Sequence, residues 1–141
     1  MKIYKKAILP LGFKANAVAC GIKKSKKLDL ALFYSGLPAK AGCLFTVNKI
    51  QAAPIQICKQ YLKSSKVFKA IVVNSGNANC FTGPSGLKDA ELATKAVANT
   101  LNIKKENVLV ASTGIIGKRL PGNLIRQAIP ELAKGLTKKG I

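Results

Sequence analysis

The stretch AIVVNSGNANCFTGPSG, residues 70–86, constrains the fold more than any other. Its first four residues are apolar, and β-favouring or small. The run is short and lacks the alternation of a half-solvated strand, so it predicts a strand buried inside a sheet. It passes directly into a neutral turn rich in asparagine and glycine. Pro84 then suits the first turn of a helix whose apolar face is Leu87, Ala90, Ala93, Ala96, Val97 and Leu101. A second junction repeats this order. NVLVAS (107–112) predicts a strand, a turn containing STGIIG follows, and LPGNLIRQAIPELAKGL (120–136) predicts a helix that Pro130 would kink or split. Upstream, AVACGI (17–22), LDLALFY (28–34) and GCLFTVN (42–48) read as strands. After Pro54, a helix carries Ile55, Cys58 and Leu62 on one face. Strands gather early and alternate with helices later, which predicts one α/β domain over residues 1–141.

Several chemistries are excluded by what the chain lacks. It has no histidine, and its four cysteines, Cys20, Cys43, Cys58 and Cys80, form no CxxC pair. Zinc sites of the usual type, histidine acid–base catalysis and Cys–His nucleophile pairs are therefore not expected. The cysteines sit in apolar company and read as buried thiols. The charge is lopsided, with 24 basic and 5 acidic residues, a formal +19. That balance attracts nucleic acid, anionic lipid or anionic small molecules. Only Arg119 and Arg126 carry the guanidinium fork that grips phosphate, and the lysines are scattered, with KKSKK (23–27) placed in a loop. A solvated lysine surface is the preferred reading, a basic nucleic-acid-binding module the alternative, and an acidic partner chain would balance the charge. No apolar run is long enough to span a bilayer, and MKIYKKAILPLGFK lacks the form of a secretory signal, so the expected location is cytoplasmic, away from membranes.

Chemistry is expected where the two late strands end, because unpaired backbone N–H groups gather there. Neither junction is a phosphate cradle: Gly114 is followed by Ile-Ile-Gly-Lys, which misplaces Lys118, and no GxGxxG opens a helix. Thr113 and Gly114 admit two readings. They form an ordinary turn, or they offer a hydroxyl and a backbone N–H side by side as an oxyanion hole for acyl transfer. Asn74, Asn77 and Asn79 likewise either hold their own turn or donate an amide to substrate.

Five blocks occur in order along nearly the whole chain: GFKANAVACGIK (12–23), DLALFYS (29–35), AGCLFTVNKIQAAP (41–54), IVVNSGNANCFTG (71–83) and LVASTGIIGKRLP (109–121). Together they resemble the N-terminal part of the ornithine acetyltransferase family, the glutamate N-acetyltransferases of arginine biosynthesis. The resemblance implies a layered α/β sandwich of which this chain is the N-terminal portion of the α subunit. It also implies a precursor that cuts itself before a threonine, whose hydroxyl takes acetyl from N-acetylornithine and passes it to glutamate. No cofactor is implied, though some members take acetyl-CoA as co-substrate. The partners implied are the remainder of the α subunit and the β subunit, in an oligomer when complete. Thr113 and Gly114 take the place of the family's oxyanion residues. The resemblance places the family's Thr-Thr-Asp segment, then Lys-Gly-Ser-Gly-Met, then the Ala-Thr self-cleavage junction after Ile141, outside these 141 residues, and Thr137 lacks the junction's context. The resemblance thus implies a piece without its nucleophile and inactive alone, or else a non-catalytic remnant. Cys80 stands where the family more often has alanine, a small-for-small exchange.

Overall fold

The computed structural model describes residues 8–139. Four strands form one sheet in chain order: β1 (Phe13–Val18), β2 (Leu30–Ala39), β3 (Phe68–Asn77) and β4 (Val108–Ile115). The first two pairings are antiparallel and the last is parallel. Parallel strands need a crossover, which here is helix α2 (Gly83–Leu101). Helix α1 (Ala53–Ser64) joins β2 to β3, and helix α3 (Gly122–Lys134) follows β4.

The registers explain where the core lies. Leu32, Val72 and Val110 are aligned across three strands, Ala70 and Val108 are paired across two, and all five are buried. Against that face α3 packs on β1 and β2, α2 on β3 and β4, and α1 on β4. α3 contributes Ile125, Ile129 and Leu132, each adding about 1.5–3 kcal/mol by leaving water. Residues one position along the strands point to the other face and are also apolar, yet Phe33 and Val73 are only half-buried and Ile71 is 40% exposed. The layered α/β class expected from the sequence is what the chain adopts, with all three helices against one face.

Each sheet edge is met at one residue. On β1, Ala15 and Thr137 exchange two backbone hydrogen bonds at 3.0 and 3.1 Å, so Thr137 has a role in the fold. On β4, the Cys58 thiol of α1 donates to the Val110 carbonyl at 3.2 Å and accepts the Val110 N–H at 3.4 Å.

Four sequence expectations change. The strand expected at 17–22 lies earlier and ends at Val18. GCLFTVN forms no ladder, because no strand lies alongside it among the described residues. Pro130 does not split its helix; it sits inside a continuous α3 on the exposed side. β3 and β4 run on to Asn77 and Ile115 through residues expected to turn.

The first change has a specific cause in Asp29, which is only 3% exposed. Its carboxylate accepts the N–H groups of Cys20 at 2.7 Å and Lys23 at 2.8 Å, which curls residues 19–28 into a loop instead of extending β1. Its carbonyl accepts the Ser75 N–H at 2.8 Å, tying the loop to β3. Burial alone would raise its pKa, but the Lys23 and Cys20 donors outweigh burial and hold it below the ordinary value. The group therefore stabilises the fold above its unfolded pKa of about 3.9, and that contribution is lost as pH falls through its lower folded value. Asp29→Asn is expected to cost about 1–3 kcal/mol in urea unfolding at neutral pH. The gap from the native chain should narrow below about pH 4; a gap unchanged on acidification would contradict this account.

Candidate active site

The end of β4 is shaped by two glycines facing one another. Ser75 pairs with Thr113 and Gly76 with Gly114, after which the register shifts around Asn77. Gly114 has φ +132°, and a Cβ there would lie 2.3 Å from the Gly76 carbonyl carbon and 2.5 Å from the Asn77 nitrogen. No side chain fits that approach. Gly76 is closed from its other side, since a Cβ on it would meet the Ile22 Cγ2 at 2.9 Å. The Asp29-held loop, the β3 terminus and the β4 terminus thus stack in close contact, and the Thr113–Gly114 pair is presented at the end of the stack.

Both residues of the pair are exposed. The neighbouring Ser112 hydroxyl is used internally, donating to the Asn74 Oδ1 at 2.6 Å, whereas among the described residues the Thr113 hydroxyl has no hydrogen-bond partner. Ile115 and Ile116 follow and are also exposed, 59% and 65%. A free hydroxyl beside a sterically enforced glycine, with apolar residues at its margin, is suited to receiving a carbonyl oxygen.

The asparagines act differently. Asn77 is 2% exposed and Asn79 is 0% exposed. The Asn77 amide donates to the carbonyls of Lys118 at 3.0 Å and Arg119 at 3.1 Å, while its Oδ1 accepts the Asn79 N–H at 2.8 Å. Asn79 donates to the Gly86 carbonyl at 2.9 Å and accepts the Thr82 hydroxyl at 2.9 Å. Asn74 donates to the Asn77 carbonyl at 2.8 Å. Their amides are spent on the backbone of this turn, of the chain leaving β4 and of the first turn of α2. Of the two readings left open for Asn77 and Asn79, this geometry supports the structural one. Asn79 takes φ +45°, the left-handed region that asparagine tolerates.

Other groups here are chemically quiet. Burial, and the Asp29 carboxylate beside it, push the Cys20 thiol up to about 11, so it stays protonated at neutral pH and is a poor nucleophile. Sequence reasoning missed the contribution of Gly76 and of the 20–23 loop. The one available signal was the matched spacing of Asn-Ser-Gly (74–76) and Ser-Thr-Gly (112–114) at the ends of two predicted strands.

These roles separate by stability. Thr113→Ala removes an exposed, unpaired hydroxyl and should change unfolding free energy by less than about 0.5 kcal/mol. Gly114→Ala forces a Cβ into backbone at a positive φ and should cost at least about 2 kcal/mol. Equal losses in chemical denaturation would place Thr113 in the fold instead of at a site.

Comparison with known proteins bears on this geometry. The ArgJ family model matches residues 14–140. The arginine biosynthesis bifunctional protein ArgJ of Oceanobacillus iheyensis is 50% identical over 88% of this chain and 30% of its own length. A glutamate N-acetyltransferase of Methanococcus maripaludis is 42% identical over 94% of this chain and 31% of its own. The crystal structure of an ornithine acetyltransferase from Mycobacterium tuberculosis, complexed with ornithine, superposes with a TM-score of 0.86 at 37% identity, covering 92% of this chain and 69% of that one. The chain spans about a third of the length of the curated relatives it matches. With the family model matched from residue 14 to residue 140, this chain belongs to the ArgJ family.

Proposed function

We propose that this chain supplies the oxyanion-binding half of an acetyl-transfer site that moves acetyl from N-acetylornithine to glutamate in arginine biosynthesis. The observation that carries the proposal is the exposed, unpartnered Thr113 hydroxyl beside a Gly114 that the fold requires to be glycine, in a chain of the ArgJ family. The nucleophile would be a threonine supplied by the remainder of an ArgJ protein. Its hydroxyl oxygen bonds to the acetyl carbonyl carbon while its proton passes to the threonine's own amine. The carbonyl oxygen becomes an anion, and the Thr113 hydroxyl and Gly114 N–H are the donors that receive it. As the carbonyl re-forms, the C–N bond breaks and the ornithine amine leaves with the proton. Glutamate's amine then attacks the acetyl ester through a second oxyanion, giving N-acetylglutamate and restoring the hydroxyl. Acetyl-CoA is a co-substrate the same site would accept, since its thioester passes through the same oxyanion. The complete assembly is read as cytoplasmic and oligomeric.

The test uses a chimera in which residues 14–140 replace the matching segment of the Oceanobacillus iheyensis relative. The chimera is expected to form N-acetylglutamate from N-acetylornithine and glutamate, and the 141-residue chain alone to form none. Thr113→Ala in the chimera should slow transfer by about 10²–10³-fold. An unchanged rate removes Thr113 from the site, and turnover by the chain alone overturns the division of labour.

A further inference from the structure

The sequence predicts a strand over residues 42–48, and the structure gives it no neighbour. Half-buried and exposed positions nevertheless alternate from residue 41 to residue 46, the two-residue period of a strand. Ala41, Cys43 and Phe45 turn onto the core, and the Lys59 ammonium of α1 lies 5.6 Å from the Phe45 ring centroid. Among the described residues, no backbone–backbone hydrogen bond reaches residues 41–47. Nor does the outward side suit water: Leu44 is 104% exposed, Val47 just past the alternating run is 99% exposed, and no charged residue lies between Ala41 and Asn48. Strands that end up solvated are guarded by charge, proline or a bulge.

We infer that residues 41–47 are a docking edge for an added strand, contributed by the part of an ArgJ polypeptide that lies outside the segment matched here. Two observations select that occupant. The relatives match over only 30–32% of their length, so roughly two-thirds of an ArgJ protein has no counterpart in this chain. A second copy is disfavoured by charge, because two chains of formal charge +19 repel. Strand addition would satisfy the free backbone groups, with side chains of the added strand packing beside Leu44. A groove of about 540 Å³, lined by Ile50, Phe81 and Leu87 with Lys49 at its rim, continues the surface toward α2. This inference rests on the reading that the chain works together with that polypeptide.

The test is co-expression of the 141-residue chain with the unmatched portion of the Oceanobacillus iheyensis relative, followed by native mass spectrometry, amide hydrogen exchange and an acetyl-transfer assay. The expected result is a heteromeric complex in which the amides of residues 42–47 exchange at least tenfold more slowly than in the free chain. Leu44→Asp should weaken assembly at least tenfold while leaving the free chain's own thermal unfolding unchanged, since Leu44 is fully exposed. No complex, a complex with those amides unprotected, unimpaired assembly of Leu44→Asp, or protection arising in a homodimer would each overturn the inference. Transfer activity with unprotected amides would defeat the docking edge and leave the function standing. Protection and loss of assembly in Leu44→Asp without transfer would do the reverse.

Discussion

The close approach of Gly76 to Gly114 is the constraint from which the rest of the functional end follows. A Cβ on Gly114 would enter the backbone of Gly76 and Asn77, so the strand termini keep this close approach only with glycine at 114. The chain must then leave both strands sharply, and each departure strands polar backbone groups in a buried place. The asparagine amides satisfy those groups. Thr113 is thus backed by backbone packing below it and amide cross-links beside it.

Charge is distributed by the same logic. With only 5 acidic residues against 24 basic ones, each carboxylate has many cations to choose from, yet Asp29 is given to backbone N–H groups in a buried loop. Asp89 is nearly buried on α2 and meets Arg119 at 3.5 Å, from the segment that Asn77 also holds. Glu91 pairs with Lys105 across from the start of β4. These acids hold connections in place, and the lysine excess is left on the outside.

What could be read from the sequence was what local pattern determines. The unbroken AIVV run and the helical spacing from Leu87 to Leu101 each contain their own reason, and each stands where expected, whereas Ser-Thr-Gly, expected as a turn, is the extended end of β4. The chain did not reveal features that depend on residues far apart. Asp29 reads as a solvated charge after KKSKK, and only tertiary structure brings the Cys20 and Lys23 N–H groups around it. The asparagine turn reads first as structure and second as a substrate contact, and the choice between them is made by where the Lys118 and Arg119 carbonyls lie. GCLFTVN has the composition and burial rhythm of a strand, but a ladder is a property of two segments. Proline in α3 was over-weighted: one lost N–H on an exposed side does not outweigh a helix face that buries Ile125, Ile129 and Leu132.

The capped edges of the sheet bear on how such a chain survives at high concentration. An open β edge is a template on which any extended chain can polymerise, and four-stranded sheets have two of them. Here Thr137 occupies the flank of β1, and the Cys58 thiol takes both backbone groups of Val110 on β4. The second cap is a single sulfur atom. Oxidation of Cys58 to a sulfinic or sulfonic acid would replace a small donor–acceptor with a bulky anion inside the core. The cap on β4 would go with it, leaving the Val110 N–H and carbonyl without a partner on that flank.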